Sequence, residues 1–176
     1  MIVMINGSFG SGKTTAANKL SQLLPNSMIF DPEEVGYMLR KITSEEQRFE
    51  EERTDDFQDI ELWKNLTVNI AKELKNKYNK HLIVPMTIYK TQNFEYISKG
   101  LQDIDSNLYH FCLIASEETL QERMTLRGDT PGGWTYQQIR KCIHLLNEAK
   151  FQEHILTDNM EPDEVVNKIL TRITEK

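Results

Sequence analysis

A glycine-rich stretch directly after an apolar run constrains this chain more than any other feature. The run IVMIN, residues 2–6, is typical of a buried strand, and residues 7–14 read GSFGSGKT. This octet matches the pattern G-x-x-x-x-G-K-[ST] at every position. A chance match in a chain of this length has a probability on the order of 1%, and the placement between a strand and a helix lowers it further.

Each part of this stretch has a role in binding a polyphosphate. The glycines let the backbone curl so that successive N–H groups point inward, and a helix that begins near Lys13 adds the positive end of its dipole. Lys13 reaches the β- and γ-phosphates, and Thr14 supplies a hydroxyl to Mg²⁺. We therefore predict ATP and Mg²⁺ as ligands. The predicted nucleotide-binding residues are Gly7, Ser8, Phe9, Gly10, Ser11, Gly12, Lys13, Thr14, Thr15, Asp158 and Asn159.

Bulk properties limit the class of protein. A length of 176 residues suits one domain, residues 1–176, and a net charge of -6 argues against a general nucleic-acid binder. Cys112 and Cys142 form no CxxC pair, which favours buried, reduced thiols in a cytoplasmic protein over a disulfide or redox role. No apolar stretch approaches the roughly 20 residues that span a bilayer, so we predict no membrane span. A homodimer stays open at this stage.

Short β-rich runs alternate with helical patterns five times along the chain. This alternation predicts an α/β fold of three layers, α/β/α, with a five-stranded parallel sheet. Ligands bind beyond the carboxyl ends of such strands, so the loops that follow them are the places to examine. The predicted strands are residues 2–6, 27–31, 81–88, 108–115 and 153–158.

The helical segments show apolar residues at steps of three and four. A helix after the glycine-rich stretch, one opening at Pro32 and a long one over 56–78 carry such stripes. A further helix is expected near 91–102, and Ser116 and Pro162 are expected to open two more. Among the side chains assigned to these stripes are Leu23, Met38, Ile42 and Tyr78.

A phosphate-binding loop does not by itself separate a kinase from an ATPase, a GTPase switch or a motor. The segment NKYNK, residues 76–80, does not fit the guanine-specific N-K-x-D pattern and lies too early. The segment TDN, residues 157–159, lies where kinases of this build often border the adenine. These features favour a small-molecule kinase.

Three arginines surround a glycine-rich loop in the second half of the chain. Arg123 and Arg127 are four residues apart on one helix, GDTPGGW follows, and Arg140 lies on the next helix. This order predicts a closing lid at about 123–140 whose arginines reach the transferring phosphoryl group. The alternative is that these arginines pair with Glu117, Glu118 or Glu122 on the surface.

Asp31 ends the second predicted strand, beside the glycine-rich loop. A carboxylate there can take the proton of an acceptor hydroxyl, or hold Mg²⁺ through water. The alternative is a cap for the helix that begins at Pro32, and both roles can hold at once. The third strand, HLIVPMT, has no aspartate of the kind that often completes the Mg²⁺ site, so Asp31 is the candidate second ligand after Thr14.

Six segments together resemble the tunicamycin resistance protein family of P-loop kinase-like proteins. The resemblance implies a nucleoside-triphosphate-binding fold of the nucleoside, shikimate and gluconate kinase type. It also implies an acceptor such as tunicamycin, a nucleotide sugar or a related hydroxyl compound. PMT on the third strand, where shikimate kinases have GGG, argues against shikimate itself. The segments are INGSFGSGKT, FDPEEVGYMLR, DDFQDIELWK, LIVPMTI, ASEETLQER and HILTDN.

The resemblance also implies an acceptor pocket in the helical region at about 32–78. Arg40 would pair with an anionic group and Trp63 would stack on a base or sugar ring. The alternatives are a surface ion pair for Arg40 and plain core positions for Trp63 and Met86. The implied substrate-binding residues are Asp31, Glu33, Arg40, Phe57, Trp63, Met86, Thr87 and Arg140.

The leading hypothesis is an ATP-dependent kinase of a small hydroxyl-bearing molecule. Lys13, Asp31, Arg123 and Arg127 are its predicted catalytic residues. One alternative is a protein that sequesters an antibiotic and performs no transfer. A third hypothesis is an ATP-gated regulator of other proteins.

Overall fold

A computed structural model describes residues 1–175. Within that range five strands form one parallel sheet in the order β2-β3-β1-β4-β5, so β1 is central. The strands are β1 Ile2–Gly7, β2 Ser27–Ile29, β3 His81–Pro85, β4 Leu108–Ile114 and β5 His154–Leu156. The helices are α1 Lys13–Leu23, α2 Pro32–Ile42, α3 Glu61–Tyr78, α4 Thr91–Ile104, α5 Glu117–Arg127, α6 Trp134–Leu146 and α7 Pro162–Thr174. The predicted α/β class and parallel sheet are confirmed.

Both faces of the sheet are covered, which explains why β1 reads as a continuous apolar run. Ile2 and Met4 join a core cluster with residues of α2, α3, α4 and α6. Val3 and Ile5, which point to the opposite face, join a second cluster with α1 and α7. All six residues of β1 are buried, so the loop that follows it starts from a fixed point in the fold.

Several helices begin where local sequence signals predict. Pro32 is the first residue of α2, and its cap Asp31 accepts a hydrogen bond from the Glu33 N–H. Ser116 caps α5 by accepting from the Thr119 N–H at 3.2 Å. These caps place helix starts directly after the carboxyl ends of the strands, where a ligand site is expected.

Some boundaries and some burial predictions are wrong. The second strand ends at Ile29 rather than 31, and the third ends at Pro85 rather than 88. Four side chains assigned to apolar stripes are exposed. Three of them belong to the last residue of a helix, and Met38 lies within α2. The exposed side chains are Leu23, Met38, Ile42 and Tyr78.

Both cysteines are buried free thiols, as predicted. Burial raises the pKa of Cys112 to about 12 and that of Cys142 to about 11, so neither thiol ionises near neutral pH. None of the helices formed by residues 1–175 is long and apolar enough to cross a membrane.

Candidate functional site

The loop between β1 and α1 depends on glycine where the backbone is left-handed. Gly10 and Gly12 have φ angles of 76° and 92°, values that a side chain with a Cβ rarely adopts. A Cβ on Gly10 would lie 2.9 Å from the Leu120 carbonyl oxygen, whereas one on Gly12 would meet nothing within 4 Å. The loop therefore packs closely against α5 on one side and stays open at Gly12 on the other.

The start of α1 is an array of backbone donors. Gly12, the residue before the helix, has no side chain to accept a hydrogen bond, and the first turn carries no acidic residue. The first amides of a helix have no intrahelical acceptor, and the helix dipole adds positive charge there. Thr14 and Thr15 are exposed at this end. The arrangement fits the phosphates of a nucleotide.

Lys13 brings a cation to the same place. Its side chain is almost fully buried, and Nζ donates to the Ser8 carbonyl oxygen at 2.8 Å. Nζ also lies 6.0 Å from the centre of the Phe9 ring. Burial lowers the pKa of Lys13 because a neutral carbonyl compensates only part of the lost hydration. A polyphosphate would supply the missing negative charge.

A cleft with a volume of about 1100 Å³ opens at this loop. It lies at the carboxyl ends of the strands, with Leu113 of β4 and Thr157 after β5 in its wall. Twelve residues of the predicted site line it. They are Phe9, Gly10, Ser11, Gly12, Lys13, Thr14, Thr15, Glu33, Arg123, Arg127, Asp158 and Asn159.

One end of the cleft is formed by the loop after β5. Asp158 Oδ1 accepts hydrogen bonds from the Ser116 N–H and the Thr119 hydroxyl, both at 2.8 Å. These bonds, first that of Ser116, lower the pKa of Asp158. Arg123 donates to the Thr157 carbonyl oxygen at 2.6 Å and to its hydroxyl at 3.1 Å. Asp158 and Arg123 thus fix the loop onto α5 and leave Asn159 exposed beside the cleft.

The other end of the cleft is formed by α2. Glu33 and Tyr37, one helical turn apart, both line it. Asp31 lies outside the described lining residues, and its Oδ1 accepts from the Glu33 N–H at 2.9 Å. Burial raises the pKa of Asp31 and of Glu33, while the charge of Lys13 opposes the shift at Glu33. Of these two carboxylates, Glu33 is the one that lines the same cleft as Lys13.

Five residues implied as an acceptor pocket lie behind this end, outside the set of described lining residues. Trp63 is fully buried, and its indole N–H donates to the Pro32 carbonyl oxygen at 2.9 Å, which leaves no ring face open to a ligand. Arg40 donates to the Asp55 carbonyl oxygen and lies 5.9 Å from the Phe57 ring. The five residues are Arg40, Phe57, Trp63, Met86 and Thr87.

The other two arginines of the predicted lid each form an ion pair with a carboxylate. Arg127 lines the cleft and pairs with Asp129 at 2.7 Å. Arg140 has a side chain that is 82% exposed and pairs with Glu117 at 2.8 Å, which is the alternative that the sequence left open. Arg123 and Arg127 are thus together at the cleft, and Arg140 is outside it.

An aromatic contact joins the phosphate-binding loop to α6. The rings of Phe9 and Trp134 are 5.4 Å apart at 75°, and Thr135 lines the cleft next to them. Sequence reasoning missed several lining residues, although Tyr37 could have been found from its spacing of four residues after Glu33. The missed lining residues are Ala16, Tyr37, Leu113, Thr135, Thr157, Met160, Glu161, Pro162 and Val165.

The residues at the cleft fit a magnesium ion that is shared with a nucleotide. The described part of the chain contains no cluster of three or more His, Cys, Asp or Glu that could hold a metal ion. Mg²⁺ prefers oxygen ligands and is usually bound through one or two protein groups plus phosphate oxygens. The Thr14 hydroxyl and the carboxylates of Asp31 and Glu33 are donors of that kind.

These features define a P-loop, kinase-type nucleotide-binding fold. The profile of a family described as an AAA domain matches residues 3–141. The tunicamycin resistance protein of Deinococcus radiodurans is 30% identical, with a TM-score of 0.78 over 98% of this chain and 94% of that one. The chain therefore belongs to the tunicamycin resistance protein family of P-loop proteins.

Two other solved structures share the fold at lower identity. A gluconokinase from Sinorhizobium meliloti 1021 is 17% identical, with a TM-score of 0.68 over 97% of this chain and 90% of that one. The shikimate kinase from Acinetobacter baumannii, solved with shikimate, is 16% identical, with a TM-score of 0.66 over 99% and 95%. No curated protein matched the sequence significantly.

Proposed function

We propose that the protein is an ATP-dependent kinase that transfers the γ-phosphoryl group to a hydroxyl of a small molecule. The observation that carries the proposal is that a buried lysine, Lys13, and a half-buried carboxylate, Glu33, line one cleft at the phosphate-binding loop. The kinase names of the structural relatives agree with this proposal.

The phosphate-binding loop holds the triphosphate. Amides at the start of α1 and the Lys13 ammonium take the β- and γ-phosphate oxygens. Thr14 would take the Mg²⁺ ion directly, and Asp31, which lies outside the described cleft lining, would hold it through water. Magnesium neutralises charge on the phosphates and helps to orient them for in-line displacement. Asp158 and Asn159 border the base at the far end of the cleft.

The acceptor is activated at the start of α2. A carboxylate there accepts the proton of the acceptor hydroxyl, whose oxygen then bonds to the γ-phosphorus while the bond to the bridging oxygen of ADP breaks. We assign this proton transfer to Glu33, because Asp31 Oδ1 caps α2 and Asp31 lies outside the described cleft lining. Burial raises the pKa of Glu33, which makes its carboxylate a stronger base.

Arg123 and Arg127 complete the site from the lid at about 123–140. Both line the cleft, and Arg127 acts electrostatically on Lys13 and on Glu33. A guanidinium in this place stabilises the charge that develops on the transferring group. We propose that Arg127 leaves Asp129 when the lid closes, whereas Arg123 keeps the loop after β5 in place.

The relative from D. radiodurans supports an acceptor of the tunicamycin type, since its name describes resistance to that compound. We propose a cytoplasmic protein that acts on tunicamycin or on a related hydroxyl compound. A protein that binds the drug and performs no transfer is the competing hypothesis.

The test is a mass spectrum of tunicamycin after incubation with protein, ATP and Mg²⁺. A kinase adds one phosphoryl mass, and Glu33→Gln lowers kcat by about 10²–10⁴-fold, as is typical when a general base is lost. Asp31→Asn keeps a cap of similar quality, so it separates capping from Mg²⁺ binding through the Mg²⁺ dependence of the rate. Binding of ATP and drug with no modified product would refute the kinase and favour sequestration.

A further inference from the structure

The pairing between β1 and β3 is continued by a side chain after β3 ends. The main-chain register ends with Ile5 opposite Pro85, and the Met86 N–H still donates to the Ile5 carbonyl oxygen at 3.0 Å. The next residue of β1 is Asn6. Its Nδ2 donates to the Ile88 carbonyl oxygen at 2.9 Å, and its Oδ1 accepts from the Ile88 N–H at 2.9 Å. The side chain of Asn6 therefore holds the segment that follows β3 beside β1.

The same side chain holds the first residue of the glycine-rich stretch. Asn6 Oδ1 also accepts from the Gly7 N–H at 2.8 Å. Two N–H groups donate to Oδ1 and one carbonyl oxygen accepts from Nδ2, so only this orientation of the amide satisfies all three partners. Asn6 is fully buried, and its main chain is paired with Cys112 of β4. Water therefore does not compete for these three hydrogen bonds.

Gly7 leads directly to the group that holds Lys13. Ser8 follows Gly7, and its carbonyl oxygen accepts from Lys13 Nζ at 2.8 Å and from the Ser11 N–H at 3.2 Å. A Cβ on Gly7 would lie 2.7 Å from the Leu113 carbonyl oxygen, so the main chain passes close to β4 here. A shift of Gly7 would therefore move the Ser8 carbonyl oxygen and the ammonium group bound to it.

Ile88 leads to the region that precedes α3. The next residue, Tyr89, is buried, and its hydroxyl donates to Asp56. Asp56 caps the short helical turn Phe57–Asp59 by accepting from an N–H group of that turn. Asn6 thus lies between the phosphate-binding loop and a segment that is itself bonded to the region before α3.

We propose that Asn6 is a positioning residue that aligns the phosphate-binding loop with the segment after β3, residues 86–90. Asn6 lies outside the described lining of the cleft, so it acts through Gly7 and Ile88 and not by contact with the nucleotide. A loop that is already ordered before its ligand arrives binds that ligand more tightly. A nucleotide that binds the loop should also restrain residues 86–90. The inference rests on the nucleotide binding in the proposed function and does not require phosphoryl transfer.

The first experiment measures binding of a non-hydrolysable ATP analogue with Mg²⁺ by calorimetry. Asn6→Leu keeps the branched shape of the side chain and removes all three hydrogen bonds, so we expect binding to weaken by roughly tenfold. Asn6→Asp is the conservative variant. At about pH 6, burial favours its protonated carboxyl group, which supplies an acceptor and a donor in the same place. We expect its affinity to stay within roughly threefold of wild type at that pH.

The second experiment follows amide hydrogen exchange by mass spectrometry in protein saturated with the same analogue. In wild type, the analogue should slow exchange in residues 86–90, because the loop and this segment share Asn6. In Asn6→Leu, at saturation, this protection should be lost. A purely structural role would lower the stability of the variant but would not remove a response to the nucleotide.

Asn93→Leu is the matched control. Asn93 is also a buried asparagine, its Nδ2 donates to the Gln58 carbonyl oxygen at 2.8 Å, and it lies outside the described cleft lining. Urea unfolding should show a loss of stability in this variant. Its affinity for the analogue and the protection of residues 86–90 should equal those of wild type.

Four results would overturn the inference. They are wild-type affinity in Asn6→Leu, an equal loss of affinity in Asn93→Leu, no rescue in Asn6→Asp, and unchanged exchange of residues 86–90 when wild type binds the analogue. The last needs no variant, so it applies even if Asn6→Leu does not fold. Product mass follows transfer separately. The expected effects on binding without any transfer would refute the kinase and keep this inference, whereas a wild-type protein that binds no nucleotide would refute both.

Discussion

Replacement of Lys13 by methionine separates stability from function at the phosphate-binding loop. Methionine keeps most of the buried stem and removes the ammonium group. The wild-type ammonium is buried and donates a hydrogen bond to the uncharged Ser8 carbonyl oxygen. We therefore expect Lys13→Met to raise the stability of the nucleotide-free protein while it weakens nucleotide binding.

The magnitudes follow from two opposing terms. The effective cost of burying an ion is several kcal/mol, and a hydrogen bond from a charged group returns about 1.5–3 kcal/mol. The net gain in unfolding free energy on substitution is therefore about 1–2 kcal/mol. Loss of charge-assisted bonds to phosphate costs about 1.5–3 kcal/mol, which weakens ATP binding by roughly 10- to 100-fold.

The stability difference between Lys13→Met and the wild type should depend on pH. Burial lowers the pKa of Lys13 below its ordinary 10.5. Between the lowered value and 10.5 the unfolded chain binds more protons than the folded one, so wild-type stability rises with pH in that window. The stability advantage of Lys13→Met is thus complete below the lowered pKa and disappears as the pH rises toward 10.5.

Urea unfolding at about pH 7 and about pH 9.5, with calorimetric titration of ATP, measures both effects. Lys19→Met is the matched control. Its ammonium is partly exposed on α1 and pairs with Asp163 at 2.6 Å, so we expect a change within about 0.5 kcal/mol. A Lys13→Met protein that is less stable than wild type at pH 7, or one that binds ATP as tightly, would contradict the reasoning.

Three further predictions concern packing and titration. Gly10→Ala should lower the unfolding free energy by about 2–3 kcal/mol, because it combines a φ of 76° with a Cβ at 2.9 Å from a backbone oxygen of α5. Gly12→Ala places its Cβ in open space and should lower the unfolding free energy by about 1–2 kcal/mol. Urea unfolding that ranks the two variants in the reverse order would contradict the structure. Trp63→Phe should cost about 1–3 kcal/mol, because it leaves a cavity and removes the indole donor to the Pro32 carbonyl oxygen; an unchanged urea midpoint would contradict this burial. Burial lowers the pKa of His110 to about 4, so wild type should lose stability as the pH falls from about 6.5 to 4, and His110→Phe should show a smaller loss in thermal melts over that range.

The sequence was most reliable where one short segment contains all of the chemistry. GSFGSGKT specifies its own loop, since the left-handed angles at Gly10 and Gly12 and the start of α1 follow from adjacent residues. The same holds for Pro32 and Asp31, whose cap and first helical turn are local features. The strand–helix alternation predicted the parallel sheet for a similar reason, because apolar periodicity reports on burial within each element.

The acceptor end of the cleft could not be predicted from the sequence, because its residues come from elements that only the tertiary packing brings together. Trp63 is compatible with a ligand platform or with core in the sequence, and packing against Phe57 and α2 places it in the core. Arg140 was grouped with the lid arginines, but α6 places it on the surface against Glu117.

The sequence by itself determined the fold class, the phosphate-binding loop and the helix that begins there, because each is encoded by neighbouring residues. Only the tertiary structure decided that Glu33 lines the same cleft as Lys13 and that Asp31 lies outside its described lining. It also decided that Tyr37 and Phe9 line this cleft. The physical reason is that side-chain direction and burial depend on how helices pack across the sheet, which local residue order does not specify.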